Sequence, residues 1–264
     1  MSNSAENLEP RAAAVLTEIV GNALVITINR PKARNAINAE VALGLAAALD
    51  QLESDSELRV GVLTGAEGTF CAGMDLRAAA AGENVSVAGK GFAGFVEAES
   101  SKPLIAAIEG YALGGGLELA LNCDLIVAAE GATLGLPEVT RGLIAGGGGV
   151  IRLPKRIPHH LAMEMLLTGS SIDAARAQEL GLANRVSANG QALAEALELA
   201  SVLTQNAPLA LAAVKAVTRI ADAASEPEAF TAQAAEIHKL MKSSDVAEGI
   251  KAFTERRAPQ WSGK

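Results

Sequence analysis

Two glutamates and two runs of glycine carry the chemistry open to this sequence. Gly114-Gly115-Gly116 runs straight into Leu117-Glu118, and Pro137-Glu138 precedes Gly146-Gly147-Gly148-Gly149. Three glycines where a strand turns into a helix remove every Cβ that would keep a ligand off the backbone. They leave the first N–H groups of the helix unpaired, with the positive end of its dipole facing outward. Such a turn binds an anion, or an oxygen that becomes anionic during a reaction. Glu118 and Glu138, twenty positions apart, are placed to flank that oxygen.

Each feature has a plainer reading. Glycine clusters also make tight turns with no ligand, and neither cluster completes a dinucleotide fingerprint, because Leu119 and Ile151 stand where its third glycine belongs. No Gly-Lys-Ser/Thr follows, which excludes a P-loop. A glutamate just inside a helix is often a surface acid held by the dipole. Leu117, Leu119, Ala120 and Leu121 predict a buried helix instead, where an unpaired carboxylate is costly. Cys71 reads as a small core residue, since no histidine lies near it in sequence. His159, His160 and His238 lack metal-ligand spacing. The cationic turn Lys32-Ala33-Arg34 is a solvated turn or a phosphate contact.

Positioning these groups needs strands and helices in alternation. Val15–Val20 and Ala23–Asn29 are β-branched segments joined at Gly21-Asn22, a hairpin signal. Asn38 suits a helix N-cap before Val41, Leu45, Leu49 and Leu52. Residues 59–64 and 102–108 read as buried strands. Residues 78–94 are rich in Ala and Gly without a period, which predicts a mobile segment. Beyond residue 160 the pattern is helical: 161–167, 173–180, 192–204, 208–223, 227–241 and 244–257. Asp173, Ser225 and Ser244 are the expected caps, with Pro208 at a first helical position. The expected fold is an α/β core with a helical C-terminal subdomain. Its parts are a loose tail over 1–11, a core over 12–200 and helices over 201–264.

Composition bounds the function. The 264 residues are 50% apolar and 20% charged, enough for a large buried core. A formal charge of −8 and 3% aromatics argue against nucleic acid, which needs cations and stacking platforms. Two distant cysteines make neither a disulfide framework nor a zinc site and fit a reducing compartment. The first ten residues carry acids and no apolar run, and no stretch is long enough to span a membrane. A cytoplasmic protein without a membrane partner is expected.

The motifs resemble those of the crotonase superfamily, the enoyl-CoA hydratase/isomerase family. The resemblance rests on Asn29–Ala36, Phe70-Cys71-Ala72-Gly73-Met74-Asp75-Leu76, Lys102–Asp124 and Leu136–Gly149. Leu167-Thr168-Gly169, Ala174–Leu182 with Val186, and Phe253–Arg257 continue it, in order, to the end of the chain.

That resemblance implies a spiral of ββα units followed by helices that build homotrimers, commonly paired into hexamers. It implies a 2-enoyl-CoA hydratase of acyl-CoA metabolism, with coenzyme A as part of the substrate and no other cofactor or metal. The thioester oxygen would rest on the backbone N–H groups of Met74 and Gly115, with Glu118 and Glu138 acting on one water. Lys32, Ala33, Arg34, Ala72, Asp75, Leu76, Arg77 and Gly114 would hold the CoA and pantetheine, and Arg256 would reach a neighbouring subunit's CoA. This chain differs from family hydratases in Met74 for alanine, Ala145 for proline and Val150 for threonine. Residues 91–95 and 153–155 look somewhat like the carnitinyl-CoA branch. The alternatives are therefore a carnitinyl-CoA dehydratase, an enoyl-CoA isomerase, or an acyl-CoA binder without turnover.

Overall fold

A computed structural model describes residues 13–264. The tail expected over 1–11 lies outside them. The chain opens with a hairpin, β1 (Val15–Val20) and β2 (Ala23–Ile28), whose antiparallel register pairs Val20 with Ala23 across Gly21-Asn22. Helix α1 (Ala39–Ser54) follows, and Asn38 caps it by accepting the Val41 N–H. Then come β3 (Val60–Gly65), α2 (Leu76–Ala80), and a hairpin of β4 (Ser86–Val87) and β5 (Gly91–Phe92). Two ββ units follow: β6 (Leu104–Ile108) with β7 (Tyr111–Leu113), and β8 (Leu125–Ala129) with β9 (Thr133–Gly135). Helix α3 (Gly115–Asn122) lies between the units.

The last third runs α4 (Gly149–Arg156), α5 (His159–Thr168), β10 (Ser171–Asp173), α6 (Ala174–Glu179) and β11 (Arg185–Ser187). It closes with α7 (Ala192–Thr204), α8 (Pro208–Ala221), α9 (Glu226–Leu240) and α10 (Ser244–Glu255). Each ββ unit gives its first strand to a six-stranded sheet, ordered β1-β2-β3-β6-β8-β11, and its second to a small sheet, β10-β9-β7. All pairings in the large sheet beyond β1–β2 are parallel, so the chain advances one strand per unit in each sheet. This is the spiral that the family resemblance implies.

Side chains alternate across the large sheet, which explains why its strands read as continuous apolar runs. Leu104, Ala106 and Ile108 enter the main core with α1 and α3. Ile105 and Ala107 face the other way, against Ala192, Ala196 and Ala200 of α7. No single helix among the described residues is long and apolar enough to cross a membrane.

Three expectations need correction. Residues 78–94, expected to be a mobile segment, contain the β4–β5 hairpin: Phe92 packs against the core, and Ala93, Phe95 and Val96 are buried just beyond it. Two-residue strands are too short to show a period. The N-cap of α10 is Ser243, whose hydroxyl accepts the Val246 N–H, whereas Ser244 is the first helical residue and bonds the Lys264 carbonyl. The last of the four glycines already begins α4, which runs on through Pro154, a residue that normally argues against a helix interior.

Candidate active site

The site forms where neighbouring parallel strands end together. β7 and β9 pair in register, Leu113 beside Gly135, so the chain leaves both strands at the same level. Beyond β7 it turns through Gly114 into α3, and beyond β9 through Leu136 into a short 3-10 turn, Pro137–Arg141. The Gly114 N–H donates to the Gly135 carbonyl at 2.9 Å and locks the two exits together. That register brings Glu118 and Glu138 to one place.

A third segment joins on the opposite side of β7. Cys71 bridges Ala112 in parallel, donating to the Tyr111 carbonyl at 2.8 Å and accepting from Leu113 at 3.0 Å. Three residues on, Met74 bridges Ile37. There the Ile37 N–H donates to Gly73 and its carbonyl accepts from Asp75, both at 2.8 Å. In such a parallel bridge the N–H of Met74 itself points away from Ile37. Among the described residues it meets no acceptor, and neither does the Gly115 N–H at the start of α3. The two donors are close: a Cβ on Gly73 would lie 3.2 Å from the Gly115 nitrogen. Gly73 (φ 94°) and Gly114 (φ 54°) hold backbone conformations that L side chains rarely adopt.

Both glutamates face a cavity of about 340 Å³, lined also by Ala72, Met74, Leu76, Phe92, Gly115 and Arg141. Glu118 is only 4% exposed. Its Oε1 accepts the Gly149 N–H, at the start of α4, at 2.9 Å. Burial raises its carboxyl above the usual range and the charge of Glu138 adds to this, while the N–H groups of Gly149 and Gly147 and the Arg152 charge oppose it. Burial also raises Glu138, opposed by its own N–H and by Arg141. The Glu138 Oε2 is buried without a partner. Cys71 is buried, its thiol pushed up to about 12, and its Sγ accepts the Gly73 N–H, which fits the core role expected.

The other expected site residues divide. Ala72, Met74, Leu76, Gly114 and Gly115 line the cavity. Lys32, Ala33 and Arg34 form a turn beside it, tied by the Ala72 N–H to the Arg34 carbonyl at 3.0 Å. The Arg34 guanidinium lies 5.7 Å from the Tyr111 ring centre. Asp75 has structural duties: its Oδ1 caps α2, and its Oδ2 pairs with Arg30 at 3.0 Å. Arg77 sits on the first turn of α2, and Arg256 is exposed at the end of α10, lining no part of the cavity. Sequence reasoning gave no role to Phe92, Arg141 or Arg152. Phe92 stood out only as part of the carnitinyl-like run 91–95, and Arg152 as a lone cation in the apolar run Gly149–Leu153.

Two free N–H groups beside one buried and one half-buried carboxyl equip the cavity for proton transfer next to an oxygen that gains charge. Known proteins resemble the chain over nearly its whole length. The family model for enoyl-CoA hydratase/isomerase matches residues 18–264. Carnitinyl-CoA dehydratase of Proteus mirabilis is 42% identical over 252 residues, covering 92% of this chain and 96% of the relative. Enoyl-CoA hydratase EchA19 of Mycobacterium tuberculosis is 40% identical over 256 residues, covering 94% and 96%. The crystal structure of an enoyl-CoA hydratase from M. tuberculosis H37Rv superposes with a TM-score of 0.93 at 53% identity, covering 96% of this chain and 100% of that one. The chain belongs to the enoyl-CoA hydratase/isomerase family.

Proposed function

We propose that the protein is a hydro-lyase that adds water across the double bond of a 2-enoyl-CoA thioester, or removes it in the reverse direction. The observation that carries this reading is the sharing of one cavity by Glu118, Glu138 and the free N–H groups of Met74 and Gly115. The thioester oxygen lies on the two N–H groups, which stabilise the enolate that forms between addition and protonation. Glu118 acts as the base, because the Gly149 N–H and the Arg152 charge support its ionised form. Glu138 is the proton donor, because burial is the largest influence on its carboxyl and raises it, and its buried Oε2 has no hydrogen-bond partner. The water oxygen bonds to Cβ, its proton passes to Glu118, and the Glu138 proton goes to Cα. No cofactor beyond the coenzyme A of the substrate takes part.

Lys32, Ala33, Arg34, Ala72, Leu76, Arg77 and Gly114 border the route of the CoA and pantetheine. Asp75 shapes that route from behind, since both its oxygens are engaged by α2 and Arg30. Residues 201–264 assemble the chain into trimers or hexamers, in which Arg256 reaches a neighbour's CoA. A dehydratase acting on a 3-hydroxyacyl-CoA is a second reading, supported by the similarity to carnitinyl-CoA dehydratase. It uses the same groups in reverse. Isomerisation is less well supported, since a proton shift along the chain needs one base and this site keeps two acids. The test follows the absorbance of crotonyl-CoA as its conjugation is lost. Glu118→Gln and Glu138→Gln should each cut kcat by about 10² or more with acyl-CoA binding retained. Near-native rates in both variants would refute the assignment.

A further inference from the structure

Arg152 is a half-buried cation. It enters from the first turn of α4, and burial lowers its guanidinium below the usual arginine range. Its Nη2 donates to the Val96 carbonyl at 2.6 Å and its Nη1 to the Gly147 carbonyl at 3.3 Å. These two bonds join the segment that follows the β4–β5 hairpin to the glycine loop around Glu118. That loop has no side chains with which to hold itself. It needs to be bare, since a Cβ on Gly147 would lie 2.6 Å from the Glu118 Oε2. Its shape therefore has to be fixed from outside, and the Arg152 fork is the group that reaches it.

We propose that Arg152 is a positioning residue for Glu118, clamping the Gly146–Gly149 loop so that the Gly149 N–H stays on the carboxylate. The inference rests on the reading of Glu118 as the base. Glu118 faces two charged groups, Glu138 from the 3-10 turn and Arg152 from α4. Arg152 faces Arg156 on its own helix, Glu97 from the segment after the hairpin, Arg219 from α8 and Glu118 from α3. Glu138 faces Arg141. Removing the Arg152 charge takes away an attraction that favours ionised Glu118. Glu118 then keeps its proton to higher pH, and the acid limb of the kcat profile moves up in pH.

Arg152→Gln and Arg152→Lys test this. In Arg152→Gln, kcat for crotonyl-CoA hydration should fall by about 10²-fold, the loss expected from a displacement of about 1 Å. KM and the binding of unreactive butyryl-CoA should change little, while the acid limb rises. Arg152→Lys should recover part of kcat, since it keeps the charge and loses the fork. A ¹³C titration of glutamate-labelled protein reads Glu118 without turnover, its signal identified by its loss in Glu118→Gln. If hydration is absent altogether, a Glu118 that titrates higher in Arg152→Gln still supports the clamp. Glu118 titrating at the same pH in wild type and Arg152→Gln overturns it, as does lost activity with an unmoved acid limb. Should Arg152→Gln not fold, Arg152→Lys decides: reduced kcat at unchanged melting supports the clamp, and wild-type kcat overturns it.

Discussion

At the scale of single residues the site is a conflict between burial and charge. Glu118 and Glu138 are both raised by burial, so each ionises more easily in the unfolded chain than in the folded one. Their stabilising contribution is full below the ordinary glutamate value of about 4.3 and is lost as pH rises through the folded values. Glu138→Gln should therefore melt above wild type at pH 8, and the gap should close towards pH 4. Thermal melts across that range check it, and a gap independent of pH would contradict the burial argument. Gly147→Ala tests the opposite face, because its Cβ needs the space of the Glu118 Oε2. Turnover should drop by about 10²-fold, with acyl-CoA binding measured calorimetrically on the same sample largely kept. Both acids were legible in the sequence, being carboxylates inside apolar, glycine-lined stretches. Arg152 and Phe92 were not given a place, because their partners come from distant segments: Arg152 bonds a carbonyl 56 positions away.

Elements with a regular pattern were the ones that sequence revealed. Val41, Leu45, Leu49 and Leu52 mark the buried face of α1, and all four are buried there. The β1–β2 turn and the cap at Ser225 are local chemistry, read directly from residue types. What stayed hidden depends on long-range packing. The β4–β5 hairpin has no period, yet it lays Phe92 over the N-terminus of α3, where a Cβ on Gly115 would lie 2.5 Å from the ring. Gly115 itself has no left-handed backbone conformation, so its substitution is limited by that ring. Gly115→Ala should destabilise by about 1–3 kcal/mol through overpacking. Adding Phe92→Ala should recover about 1 kcal/mol or more relative to the sum of the single changes. Urea unfolding of the four proteins measures this coupling. Additivity would mean that the ring does not rest on Gly115.

At the scale of the whole molecule, the central strands of the large sheet are buried within one chain while the terminal helices are not. α9 buries none of its residues, and Phe230, Ile237, Met241, Ile250 and Phe253 are all exposed along α9 and α10. Ile250 and Phe253 are three apart, hence on one side of α10, and Phe253 is 87% exposed. Large apolar side chains grouped in this way mark an interaction surface. Further copies of this chain are the proposed occupant, with Arg256 carried towards the neighbour from the end of the same helix. Sealing one phenylalanine is worth about 2 kcal/mol per copy, so Phe253→Asp should weaken association by well over tenfold. Sedimentation should show wild type as trimers or hexamers and the variant dissociating at micromolar concentration, with helical circular dichroism preserved. The CoA contact proposed for Arg256 adds a dependent outcome: dissociated Phe253→Asp should show the same raised KM as Arg256→Ala in the intact assembly. A wild-type monomer, or a dissociated variant with native KM, would detach the terminal helices from the site and leave each chain's cavity self-sufficient.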